Sequence, residues 1–297
     1  MTQDHALRLG ALEAGYRDRT VIHGLDLEPV PGAITAIVGA NACGKSTLLR
    51  TMSRLLRPSG GQVLLDGRDL HRYGARELAR TLGLLPQTPL APDGISVVDL
   101  VARGRHPHHG LVQRWTSEDD AAVAEALEAT AVVDLAERSV DELSGGQRQR
   151  VWIAMALAQR TDVLLLDEPT TFLDVNHQVE VLDLLVDLNR SRGTTIVMVL
   201  HDLNLAARYA DSLVAMRDGR VHAHGAPGGV LTEETIEAVF GIPSRVITDP
   251  VSGRPLMLPI GRHGVHDDVR RPGRAGADVT SGRRDAEQTV GSPSPRS

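Results

Sequence analysis

The sequence is short of lysine. Of the 32 basic side chains in its 297 residues only one is a lysine, Lys45, and all the others are arginines. We read this bias as a product of genomic base composition, which leaves the single exception to be explained. There is also a single cysteine, Cys43, so an internal disulfide is excluded and a reducing cytosol is the expected setting. Aromatics make up only 2% of the chain, so Leu, Val, Ala and Ile must fill the core. No apolar run reaches the roughly 18 residues that a membrane-spanning helix needs. The start MTQDHALRLG lacks the basic and apolar regions of a secretory signal. Net charge is −6 with the arginines scattered, which argues against a nucleic-acid footprint. A cytoplasmic protein with ample length for a sizeable core is expected.

Apolar patterning divides the chain. ALRLGALEAGY and TVIHGLDLEPV alternate as a pair of antiparallel strands should, and AITAIVG (33–39) reads as a buried strand running into a glycine-containing loop. STLLRTMSRLL (46–56) has helical spacing and stops before Pro58-Ser59-Gly60-Gly61. GQVLLDG and TLGLLP read as two further strands. From about 95 to 160 the pattern is all-helical, in SVVDLVARG, SEDDAAVAEALEAT and GGQRQRVWIAMALAQR, the second with Ser117 as its expected N-cap. Alternation then returns: strand DVLLLD (162–167), a helix over 175–190 closed by Gly193, strand TTIVMVL (194–200), helix DLNLAARYA (202–210) and a hairpin turning at Asp218-Gly219. Strand–helix–strand units of this spacing imply an α/β fold with a parallel sheet. The stretch from about Arg262, rich in Gly, Pro, Ser and mixed charge, reads as a disordered tail.

Three strings carry chemistry. GANACGKST (39–47) fits G-x-x-x-x-G-K-[ST] with a strand before it and a helix after it. Backbone amides of such a loop cradle phosphate oxygens at a helix N-terminus. Lys45 would reach the β- and γ-phosphates as a compact point charge, a task the broad fork of arginine fits poorly, and Ser46 would offer its hydroxyl to Mg²⁺. That accounts for the lone lysine: where charge alone suffices the chain uses arginine. LLLDEP (164–169) delivers Asp167, a candidate Mg²⁺ ligand, and Glu168, placed to polarise an attacking water, to the carboxyl edge of a strand. LSGGQRQR (143–150) reads either as a plain N-cap or, through its hydroxyl and exposed glycine amides, as a second anion site. Two anion sites and one lysine loop make most sense if the second serves the nucleotide of another copy.

Together with VLHD, these strings resemble the ATP-binding cassette (ABC) ATPases over roughly residues 8–245. The resemblance implies a P-loop core with an N-terminal antiparallel β subdomain and a helical subdomain (about 95–160) bearing the signature motif, followed by an extension over 246–261 and a tail over 262–297. It implies ATP and Mg²⁺ as cofactors, with nucleotide held by Gly39, Ala40, Asn41, Ala42, Cys43, Gly44, Lys45, Ser46 and Thr47 of one copy and by Ser144, Gly145, Gly146 and Gln147 of another. Tyr16 resembles the aromatic that stacks on adenine. Gln87 resembles the loop glutamine that senses Mg²⁺ and the permease, Asp174 the cross-dimer aspartate, and His201 the switch histidine at the γ-phosphate. Read without the family, Tyr16 could be a core aromatic and His201-Asp202 a capping pair. Ala40 and Ala42 stand where the family often has Pro and Gly, so Ala42 must bear backbone strain if its φ is positive.

Within the family the sequence resembles importers of ferric siderophores, on GRHPHHG (104–110), DEPTTFLD, HDLNLAARYAD and RVITDPVSGRPLMLPIGR (245–262), although haem and cobalamin importers share most of the pattern. That resemblance implies integral-membrane permease subunits as partners, a second ATPase subunit, and indirectly a periplasmic or lipid-anchored siderophore-binding protein. It also implies a peripheral place on the cytoplasmic face of the membrane. His106, His108 and His109 invite a metal site, but no acid or cysteine neighbours them in the sequence, and a surface loop near the permease is the expected role.

Overall fold

The computed structural model describes residues 5–17, 19–109 and 114–261. Three sheets carry the architecture. β1 (Leu7–Tyr16) and β2 (Arg19–Leu27) pair antiparallel and join β4 (Gly60–Leu65) and the short β5 (Arg68–Asp69) in the order β2-β1-β4-β5. The central sheet runs β10-β9-β3-β8-β7-β6, formed by β3 (Ile34–Gly39), β6 (Leu82–Leu85), β7 (Val163–Asp167), β8 (Thr195–Val199), β9 (Ser212–Arg217) and β10 (Arg220–Gly225). β3, β6, β7, β8 and β9 are parallel, and β10 returns antiparallel at the edge. These elements belong to the unit that ends at Ile260.

The parallel strands are continuous apolar runs because both faces are covered. Alternate residues feed two cores: Ile34, Ala36 and Val38 of β3 and Leu164 and Leu166 of β7 point to one, Ile37, Val163 and Leu165 to the other. The second core also takes Leu48, Leu49 and Met52 of α1 (Lys45–Met52) and the inner face of the N-terminal sheet. The first is covered by α3 (Val97–Ala102), α4 (Ser117–Ala129), α5 (Gly145–Ala158), α6 (Val175–Arg192) and α7 (Leu203–Tyr209). α5 is centred on Trp152, which is buried there.

The structure differs from the sequence reading in several places. α1 ends at Met52, four residues before the apolar spacing does, because Arg54 turns into the left-handed region at φ 64. The cap of α4 is Thr116, not Ser117: Asp119 at its third position accepts from the Thr116 amide at 3.0 Å and hydroxyl at 2.7 Å. SVVDLVARG is helical only to Ala102 and continues as a 3₁₀ turn, Arg103–His108. α2 (Ala75–Thr81), α8 (Pro227–Val230), α9 (Glu233–Phe240) and the hairpin β11 (Ser244–Thr248) with β12 (Pro255–Pro259) went unread. The expected tail over 262–297 lies outside the described residues.

An acid does stand beside the histidine run. Asp119, remote in sequence, lies 3.5 Å from His109 Nε2 and binds Arg105 at 2.8 Å, with both members of that pair buried. Burial alone would raise the Asp119 carboxyl; hydrogen bonds from Arg105 and Thr116 more than reverse this and hold it at about 2. His109 stacks on Trp115 at 5.4 Å, and His108 Nε2 lies 2.8 Å from the Gln159 carbonyl. No described helix is long and apolar enough to cross a membrane.

Candidate active site

Ligand sites in open parallel sheets form beyond the carboxyl ends of the strands. Here β3 opens into 39–47, β7 ends in Asp167-Glu168, β8 leads to His201 and β6 leads to Gln87. The result is a pocket of about 720 Å³ lined by Tyr16, Arg19, Val21, Asn41, Ala42, Gly44, Lys45, Ser46, Thr47, Gln87, Glu168 and His201.

The loop is shaped by its backbone. Gly44 sits at φ 107, where a side chain would be strained, and serves as the cap of α1 without any side-chain capping bond. The first-turn amides of α1 are therefore open to an anion. Ala42 lies at φ 62, so the strain anticipated there is present, on the order of 1–2 kcal/mol. Lys45 Nζ donates to the Gly39 carbonyl at 2.8 Å and the Ala40 carbonyl at 3.0 Å. An ammonium has three donors, and the third meets only the weak, distant Cys43 Sγ, which a phosphate oxygen would displace. Cys43 Sγ stands 4.0 Å from Nζ, and burial pushes its thiol up.

Ser46 Oγ donates to Asp167 at 3.1 Å, bringing the two expected Mg²⁺ ligands together. Burial pushes the Asp167 carboxyl up, partly offset by this bond. A hydroxyl beside a buried carboxylate is the hard-oxygen set that Mg²⁺ prefers, and the charge of the ion would relieve the buried acid. Glu168 is 7% exposed at φ 57. Its carboxylate stands 2.5 Å from His201 Nε2, and it accepts from Gln87 Nε2 at 2.7 Å and Thr171 Oγ1 at 3.2 Å. Asp202 alone does the capping, accepting from the Asn204 and Leu205 amides, so His201 is left for Glu168. Tyr16 is half-exposed at the pocket wall, its hydroxyl accepting from Arg50 at 3.1 Å.

Gly39, Ala40, Cys43 and Asp167 lie behind this lining. The other candidates stand apart from it. Ser144 caps α5, accepting from the Gln147 amide at 3.3 Å, and Gln147 Oε1 accepts from the Ser144 amide at 3.1 Å. Gly145 and Gly146 open the same helix. Asp174 caps α6 and accepts from the His177 amide at 3.0 Å; that bond, then the His177 ring, holds its carboxyl below the usual range. Arg19, Val21 and Thr171 went unassigned in the sequence reading. A tight hairpin turn sets Arg19 opposite Tyr16, and period-two alternation from Arg19 reaches Val21; Thr171 lies within DEPTTFLD and has no signal of its own.

A glycine loop closing on a buried lysine, a hydroxyl–acid pair and a glutamate just past the carboxyl end of β7 define a P-loop nucleoside triphosphatase. The sequence profile of the ABC transporter family matches residues 22–171. The ferric enterobactin transport ATP-binding protein FepC of Escherichia coli (strain K12) is 52% identical over 88% of this chain and 97% of its own. The probable siderophore transport system ATP-binding protein YusV of Bacillus subtilis (strain 168) is 51% identical over 86% and 94%. The achromobactin transport ATP-binding protein CbrD of Dickeya dadantii (strain 3937) is 53% identical over 84% and 93%. Among solved structures, an inward-facing ABC transporter of candidate metal-chelate type superposes with TM-score 0.74 at 31% identity, over 87% of this chain and 98% of that one. A dimeric bacterial ABC transporter cassette gives 0.67 at 26%, over 74% and 98%. The chain belongs to the ABC transporter family and is its ATPase subunit.

Proposed function

We propose that this chain hydrolyses ATP to drive import of a ferric siderophore through separate permease subunits, from a peripheral position on the cytoplasmic face of the membrane. The observation that carries the chemistry is the Glu168 carboxylate, buried between His201 and Gln87 at the wall of the lysine loop's pocket. Glu168 would orient a water and accept its proton as the water attacks the γ-phosphorus. The bond to the β-bridging oxygen breaks and ADP leaves. Lys45 and His201 would face the γ-phosphate oxygens and stabilise the charge that spreads over them. Mg²⁺ held by Ser46 and Asp167, within reach of Gln87, would supply neutralisation of β- and γ-phosphate charge. Tyr16 would stack on the adenine.

The cargo rests on likeness: three relatives whose names specify enterobactin, siderophore or achromobactin transport match at 51–53% identity over nearly their whole length. We assign residues 8–245 to the ATPase domain, about 95–160 to its helical part and 246–261 to an extension. The pair is read as head to tail, since Ser144-Gly145-Gly146-Gln147 and Asp174 do not line the pocket of their own chain. A dimeric cassette among the structural neighbours supports this.

Uptake of radio-iron on a panel of siderophores, compared between wild type and a chromosomal Glu168→Gln strain, tests the reading. Loss for one siderophore class identifies the cargo and the direction of transport. Uptake unchanged across the panel overturns the cargo, and haem and cobalamin are then measured in the same way.

A further inference from the structure

Residues 168–174, between β7 and α6, begin with Glu168 and are gripped by two helices. Both Glu168 and Phe172 lie in the left-handed region, at φ 57 and 67, a conformation that persists only where the surroundings over-determine it. From α6, Gln178 Nε2 donates to the Leu173 carbonyl at 3.1 Å and the Thr170 carbonyl at 3.4 Å. From α5, Gln149 Nε2 donates to the Pro169 carbonyl at 3.0 Å, and Gln149 is buried. Proline has no N–H, so this carbonyl is the one backbone hydrogen-bonding group of the residue next to Glu168.

α5 also touches the far end of the same stretch. A Cβ on Gly145 would stand 3.7 Å from Phe172 Cβ, and one on Gly146 would stand 3.4 Å from Leu173 Cδ2. The helix that opens with Ser144-Gly145-Gly146 is therefore fastened to both ends of the loop that sets Glu168. Yet the two ends of this connection belong to different sites: Glu168 lines the pocket of its own chain, and Ser144-Gly145-Gly146 does not.

We propose that Gln149 is a positioning residue that couples the two nucleotide sites of a pair. Nucleotide bound by the partner copy engages the first turn of α5, α5 shifts as a rigid rod, and the Gln149 amide carries the shift to Pro169 and so to the Glu168 carboxylate. Hydrolysis at each site then depends on occupancy of the other. This rests on the head-to-tail reading above. Displacement of a reacting group by about 1 Å costs about 100-fold in rate, so a small movement of α5 suffices. Gln178 holds the same loop from α6, outside the signature helix and away from Pro169, and so provides the comparison.

The test uses the purified full chain with Mg²⁺ and measures phosphate release against ATP concentration, ATP binding to the monomer, and ATP-driven pairing by light scattering. Wild type, Gln149→Met and Gln178→Met are compared. A sigmoidal rate curve is expected for wild type and Gln178→Met. Gln149→Met should give a hyperbolic curve with kcat lowered about tenfold and monomer affinity for ATP unchanged. A folded Gln149→Met that keeps the wild-type sigmoid overturns the proposal, as does loss of the sigmoid to the same degree in Gln178→Met, which would reduce both glutamines to loop supports. If Gln149→Met does not fold, Gln149→Asn, one methylene too short to reach, is read in the same way. A wild type that pairs yet hydrolyses hyperbolically also overturns the coupling, whereas a wild type that remains monomeric in ATP overturns the pairing itself.

Discussion

Lys45 is where charge and shape separate. Lys45→Arg keeps the positive charge but replaces a compact ammonium bonded to two loop carbonyls with a planar fork. The expected outcome is a fall in kcat of about 100-fold or more, the cost typical of losing one preorganised electrostatic group, measured as phosphate release at saturating ATP. Unchanged turnover would mean that charge alone suffices and that the lone lysine has no explanation in the site. The contiguous strings 39–47, 164–169 and 199–202 were legible because chain connectivity already places their residues on one loop or strand end. Arg50 on Tyr16 and Thr171 on Glu168 were not, since each acts through a partner that no local pattern specifies.

At the scale of elements, the turn between β9 and β10 fastens two parts of the pocket. The Gly219 amide donates to the Cys43 carbonyl of the phosphate loop at 3.0 Å, and its carbonyl accepts from the His23 amide of β2 at 3.1 Å. A Cβ there would stand 1.8 Å from the Val21 carbonyl, with φ at 72. Gly219→Ala should therefore cost on the order of 2–3 kcal/mol and raise KM for ATP, because Val21 lines the pocket; a thermal melt and steady-state kinetics check both. The helical segment depends on a different fastening, the buried Arg105–Asp119 pair. Arg105→Met strands a buried carboxylate and should cost about 3–5 kcal/mol, read from urea unfolding. The Asp119 carboxyl is held below its ordinary value, so the stability it confers is complete above about pH 4. That stability is lost as pH falls toward its folded value of about 2. The urea midpoint of wild type should drop across this interval more than that of Arg105→Met. Neither pairing was readable in advance: Arg105 meets Asp119 only after the 3₁₀ turn folds back on α4. The missed helices α2, α8 and α9 are short, and too little of their apolar spacing repeats to show a period.

For the whole molecule, the decisive feature is that the two segments proposed to bind anions, 39–47 and 144–147, do not share a pocket. Glu168→Gln should bind ATP without activating water and so accumulate as an ATP-dependent pair; gel filtration that shows only monomer with ATP and Mg²⁺ would count against the two-copy arrangement. The layer order was readable because strand and helix periods differ, whereas the division of β3, β7 and β8 between two cores emerges only once the strands lie side by side. One consequence is optical. The chain has two tryptophans, Trp152 buried within α5 and Trp115 stacked on His109 just before α4, and neither lines the nucleotide pocket. Tryptophan emission from the unlabelled chain, excited selectively over the tyrosines, is thus a readout of the helical layer and not of Tyr16 at the pocket wall. A change in it on adding ATP reports movement of that layer, not the arrival of a base beside a fluorophore.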